Sequence, residues 1–287
     1  MTPWPWRITT SGGHQLHAVE WSPTTGASGA VDVLLVHGLA SNARLWDDVA
    51  AGLADHGHRV VAYDQRGHGQ SERAADGFPW DGVVQDLRDV VRSLGLERPI
   101  AVGQSWGGNV VLQAAADAGD VLRGVMTVDG GFFDLQAQFE HADAAWEALT
   151  PPPLDGVTYE DVRDHMRERF SGWPPAALRG QLANFTRTPD GAARPALRRD
   201  DHEQVVRAMW DQRPVEVAAR AAVPVLLGPV RGTDSHDWTT GVQAVADALP
   251  VGRVHWFDDA DHDVHAERPD EVVAVLRDAV ADAFLLS

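Results

Sequence analysis

Gly103-Gln104-Ser105-Trp106-Gly107 lies between the apolar run Pro99-Ile100-Ala101-Val102 and the stretch Asn109-Val110-Val111-Leu112-Gln113-Ala114-Ala115-Ala116. The first flank reads as a strand and the second as a helix. A serine between two glycines at a strand-to-helix corner is the pattern of a nucleophile elbow. Such a corner holds the serine backbone in a strained conformation. Small residues two before and two after it let strand and helix approach without collision. The hydroxyl is then held up at the end of the sheet, where a base can reach it.

Outward from this corner, strands and helices alternate. The N-terminal 20 residues read as two short strands around the Ser11-Gly12-Gly13 turn. Residues 31–36 form an apolar run typical of a strand buried on both faces. Helical spacing over 42–56 puts Leu45, Trp46, Val49 and Leu53 on one side. A strand at 59–63 and a helix at 80–94 lead to the elbow, and a strand at 122–128 closes on Asp129-Gly130-Gly131. This alternation predicts an α/β fold, a parallel sheet with helices on both faces. It stops between 132 and about 222, where helix-like pieces fall at 134–149, 158–171, 175–187 and 200–213. It resumes with a strand at 223–227, a helix at 239–249, a strand at 253–257 and a final helix at 269–285. The expected organisation is a core of 1–132 and 223–287 with a helical lid over 133–222.

Composition narrows the function. The chain has 287 residues, 44% hydrophobic, enough for one large α/β domain with an insertion. A net charge of −18 argues against a phosphate-backbone partner, because nucleic acid needs a basic face. No apolar run approaches the ~20 residues that span a bilayer, and residues 1–7 lack an apolar signal region. The expectation is a cytoplasmic protein with neither membrane nor nucleic acid as partner. With no cysteine, disulfides, thiolate catalysis and Cys-ligated metal sites drop out. The acidic run Asp258-Asp259 with Asp261 and Asp263 lacks Ca²⁺-loop spacing, so no metal and no cofactor is expected.

Three further motifs accompany the elbow: His37-Gly38-Leu39 after the third strand, Asp64-Gln65-Arg66-Gly67-His68-Gly69-Gln70-Ser71 after the fourth, and Asp261-His262-Asp263-Val264-His265-Ala266-Glu267-Arg268-Pro269 after the last. In this order they resemble the α/β-hydrolase family, over nearly the whole chain. The resemblance implies a mostly parallel eight-stranded sheet with a helical lid inserted after the sixth strand. It also implies an oxyanion hole made by the backbone N–H groups of Leu39 and Trp106.

A serine hydroxyl is a weak nucleophile at neutral pH and needs a base, and histidine titrates near the working pH. His262 fits that role on Ser105, with His265 as an alternative. A carboxylate must orient the base. The family places it after the seventh strand or the sixth. Asp234 suits the seventh, 28 residues before His262, and Asp129 suits the sixth, 24 residues after Ser105. Gly228-Pro229 interrupts the seventh strand, whereas Asp129 directly ends a clean one, which favours Asp129. Asp234 stays open, with Asp237 behind it. His37, Arg66 and His68 read as loop braces, and His14, His17, His56 and His58 as surface or loop residues. Some lid aromatics, from Trp146, Trp173, Trp210, Phe132, Phe133, Phe139, Phe170 and Phe185, should line the pocket.

The expected function is therefore a serine hydrolase acting on a small-molecule ester or lactone with a bulky apolar part. Hydrolysis of a C–C bond in a diketone, acyl transfer and perhydrolysis are alternatives on the same triad. A serine at the elbow speaks against the dehalogenase and epoxide-hydrolase branches, which need a carboxylate there. A non-catalytic small-molecule receptor is the rival of another class.

Overall fold

A computed structural model describes residues 3–26, 29–232 and 238–286. The chain opens with strands β1 (Trp4–Thr9), β2 (Gln15–Trp21) and β3 (Asp32–Val36). Helix α1 (Asp47–Asp55), strand β4 (Arg59–Tyr63) and helix α2 (Trp80–Ser93) follow. Strand β5 (Ile100–Gln104), helix α3 (Trp106–Asp117) and strand β6 (Gly124–Val128) surround the elbow. Then come helices α4 (Leu135–Gln138), α5 (Ala142–Leu149), α6 (Tyr159–Arg169) and α7 (Pro175–Leu182), strands β7 (Phe185–Arg187) and β8 (Ala193–Pro195), and helices α8 (Arg199–Asp211) and α9 (Pro214–Ala218). The chain finishes with β9 (Val225–Gly228), β10 (Val230–Arg231), α10 (Thr239–Ala248), β11 (Gly252–Val254), β12 (Phe257–Asp258), α11 (Val264–Glu267) and α12 (Pro269–Ala281).

Among the described residues the central sheet has eight strands in the order β1-β2-β4-β3-β5-β6-β9-β11. From β4 to β11 all neighbours are parallel, and β1 and β2 are antiparallel additions at one edge. The expected eight-stranded, mostly parallel sheet is thus present. Side chains alternate across it with the strand period of two. Leu34, Val61, Ala101 and Val125 pack with α2, α3 and α10 on one face. Val33, Val60, Val102 and Met126 pack with α1 and α12 on the other. Covering both faces explains why β5 and β6 are buried end to end.

The stretch between β6 and β9 is mostly helical, with local differences from expectation. The helix expected at 134–149 is two, α4 and α5, and each starts on a side-chain cap, Asp134 and His141. The one expected at 175–187 ends at Leu182, and Phe185–Arg187 instead pairs antiparallel with Ala193–Pro195. The strand expected at 253–257 divides: Gly252–Val254 pairs with β9, and Phe257–Asp258 pairs with Val230–Arg231. Of the histidines expected at the surface or on loops, His56 is exposed, His14 and His58 lie on loops but are buried, and His17 is buried within β2. Placing His14 and His17 inside an acidic chain is tolerable because carboxylates meet them: His14 Nε2 is 3.1 Å from Asp86, and His17 Nδ1 is 2.9 Å from Asp64. His58 instead contacts the backbone of Val31.

Candidate active site

Ser105 sits between β5 and α3 with φ 53° and ψ −122°. That left-handed backbone costs an L-residue of order 1–3 kcal/mol. It is held on both sides. The Ser105 N–H donates to Val128 O at 3.0 Å, and its carbonyl accepts from the Gly108 and Asn109 N–H groups. A Cβ on Gly103 would fall on the Gly107 carbonyl, and one on Gly107 would fall on the carbonyls of Val36 and His37. The two glycines therefore set how closely α3 approaches the sheet.

Asp129 follows β6 directly and also has a positive φ, 39°. Its buried carboxylate is fully engaged. Oδ1 accepts from the Val230 N–H at 3.1 Å, and Oδ2 lies 2.5 Å from His262 Nδ1. With Nδ1 directed at the carboxylate, Nε2 is the nitrogen left to take up a proton. Burial works against the charge on His262. The hydrogen bond that Nδ1–H donates to Asp129, the Asp129 charge and the charges of Asp263 and Asp261 outweigh it and raise the pKa to about 9. Asp234 and Asp237 lie outside the described residues.

Ser105, Asp129 and His262 line one cavity of about 950 Å³, together with Leu39. His265 does not line it. Its ring is fully buried 4.3 Å from that of Trp46, and burial drives its pKa down to about 4.

Trp106 is the first residue of α3, so its N–H is one of the helix's unpaired N-terminal amides. Among the described residues, neither it nor the Leu39 N–H donates to a backbone acceptor elsewhere. The loop carrying Leu39 is braced by two buried neutral imidazoles. His37 Nε2 accepts from the Gln65 N–H at 3.0 Å, which leaves Nδ1–H to donate to Gly38 O at 2.7 Å. His68 Nε2 accepts from the Ala40 N–H while Nδ1–H donates to Arg66 O. Burial lowers the pKa of His37, and that of His68 to about 3, so both can accept these bonds. The Trp106 ring stacks on His68 at 5.4 Å and is itself buried. Arg66 braces a loop as expected, on Asp86 and the carbonyls of Gly77 and Gly82.

Of the aromatics expected in the pocket, Phe133 and Phe139 line it. Trp146 packs near His202 and Trp173 on Phe170 instead. Two glutamines of the site carry no motif in the sequence. Gln104 Nε2 donates to His262 O at 3.2 Å, and Gln181 Nε2 of α7 donates to Asp263 Oδ2 at 2.9 Å. The only hint for Gln104 was its place beside Ser105; for Gln181 there was none.

A family model described as the alpha/beta hydrolase fold matches residues 33–217. The chain is 32% identical over 121 residues to a non-heme chloroperoxidase of Streptomyces lividans, a match that covers 42% of each chain. It therefore spans less than half the length of that relative. It is 27% identical over 206 residues to the 2-(acetamidomethylene)succinate hydrolase of Mesorhizobium japonicum, 71% of this chain and 70% of that one. The crystal structure of E-2-(acetamidomethylene)succinate hydrolase superposes with a TM-score of 0.78 at 22% identity, covering 97% of this chain and 99% of that one, a likeness of fold. Sheet order, elbow geometry and the family model agree: the chain belongs to the α/β-hydrolase family.

Proposed function

We propose that this enzyme is a serine hydrolase that cleaves a small carboxylic ester or lactone through an acyl-enzyme on Ser105. Ser105 Oγ attacks the carbonyl carbon as His262 Nε2 takes its proton. Asp129 holds Nδ1–H and stabilises the imidazolium. The N–H groups of Leu39 and Trp106 receive the negative charge that develops on the carbonyl oxygen. The imidazolium then protonates the leaving alkoxide. Water, deprotonated by His262, cleaves the acyl-enzyme and releases the acid.

The observation that carries this reading is the 2.5 Å contact of His262 with Asp129 on the wall of the cavity that Ser105 also lines. The segment 133–222 acts as the cap. Its Leu135, Phe139, Leu149 and Met209 give that cavity an apolar wall, which suits a substrate with a sizeable apolar part. Relation to a 2-(acetamidomethylene)succinate hydrolase supports hydrolysis as the reaction.

Labelling with a fluorophosphonate probe, beside turnover of short p-nitrophenyl esters, tests the proposal. Covalent labelling at Ser105 and turnover that vanishes in Ser105→Ala are expected. An unlabelled Ser105, or a Ser105→Ala enzyme of full activity, would sink it.

A further inference from the structure

Resting on the reading of the Ser105 cavity as the active site, we propose that Arg169 binds a carboxylate on the substrate, so that the ester cleaved is an acidic one. Arg169 is the last residue of α6 and lines the cavity. Its surroundings set it apart from the other arginines of that helix. Arg163 and Arg167 both lie within ion-pair distance of Asp164. Arg169 has no carboxylate within that distance among the described residues, and its guanidinium rests over the ring of its neighbour Phe170, 5.4 Å from the centroid. In a chain with 42 acidic and 24 basic residues, an arginine left without an acid at a cavity wall is a site for an incoming anion.

The charges around the cavity also orient such an anion. Asp259, Asp261 and Glu267 line it on the His262 side, and Arg169 lines it from the cap. A substrate carboxylate is repelled by the first group and attracted by the second. Its other end, the ester carbonyl, is then directed to Ser105. The apolar side chains of Leu135, Phe139, Leu149 and Met209 on the same cavity suit a hydrocarbon part between carboxylate and ester. A guanidinium offers a carboxylate two parallel N–H donors, which fixes direction as well as charge.

The test compares two esters of equal chain length, mono-p-nitrophenyl glutarate and p-nitrophenyl pentanoate. In the wild type the ratio of their kcat/KM values should favour the glutarate and should fall as salt is added. Arg169→Ala should lower that ratio about tenfold or more, and Arg169→Lys should recover part of it, as a charge does and lost packing does not. Glutarate itself, titrated calorimetrically into wild type and Arg169→Ala, should bind about tenfold or more weakly to the variant. A ratio unchanged in Arg169→Ala, with glutarate affinity unchanged, overturns the proposal. So does a lower melting temperature with the ratio intact, which marks Arg169 as a helix-terminal stabiliser only. Absence of fluorophosphonate labelling at Ser105 would refute the hydrolase reading instead, and the glutarate titration would still decide the role of Arg169.

Discussion

With its pKa raised to about 9, His262 is mostly protonated at neutral pH, and only the neutral imidazole can accept the Ser105 proton. The proposed mechanism therefore makes kcat/KM climb about tenfold per pH unit up to a plateau near pH 9. Asp129→Asn removes the charge that sustains this pKa. The rising limb should move down toward the ordinary histidine value of about 6.5, and plateau turnover should fall by roughly three to four orders of magnitude. A pH–rate profile of both enzymes on one p-nitrophenyl ester checks this, and a limb that stays put in Asp129→Asn contradicts it. Ser105 itself offers the opposite trade. Its φ of 53° is strained for serine and free for glycine. Ser105→Gly should unfold at a higher temperature than the wild type, by about 1 kcal/mol of added stability, while losing all turnover. Thermal melts of the two proteins decide it.

At the scale of elements, the elbow is a contact between backbones. Gly107→Ala inserts a Cβ into the carbonyls of Val36 and His37, so α3 must shift away from β3. A cost of about 1–3 kcal/mol is expected, with a large loss of turnover because the Ser105 and Leu39 loops separate. Denaturant melts and ester turnover measure the two effects; an unaffected melt would show that the close approach is not tight. This element was legible in sequence because its requirements are local: two small residues, an apolar strand before and a helix after. The same holds for β3, β5 and β6, whose burial on both faces demands near-continuous apolar runs. The β7–β8 pair was not legible. Its strands are three residues each, β8 ends on Pro195, and four of their six residues are exposed, so no alternation of apolar and polar side chains marks them. Gln181 was invisible for another reason. Its bond to Asp263 joins residues 82 apart, and only tertiary structure brings α7 to the His262 loop. Strand regularity favours Asp129 over Asp234 in the sequence; Asp129 lies on His262 Nδ1, and Asp234 lies outside the described residues.

Across the whole molecule, burial sets the charge state of many histidines. His37, His58, His68, His202 and His265 all have pKa values lowered first by burial, His68 to about 3 and His265 to about 4. An unfolded chain takes up protons at these sites below about pH 6.5, and the native protein does not. Their contribution to stability is therefore full above about 6.5 and is lost as pH falls toward the native values, at up to about 1.4 kcal/mol per pH unit for each. His262 has the opposite sign. Its raised pKa stabilises the fold below about 6.5, and that share fades as pH rises through about 9. Stability should thus peak near pH 6.5–7 and fall more steeply on the acid side, with the melting temperature dropping by roughly 10 °C or more between pH 6.5 and 5. His265→Phe isolates one term. Among the described residues neither ring nitrogen of His265 has a hydrogen-bond partner, so the change sacrifices no bond seen there and keeps an aromatic ring against Trp46. That variant should show a shallower acid limb and melt no lower than the wild type at pH 5. Equal acid slopes in the two proteins would mean that His265 is not held neutral by the fold.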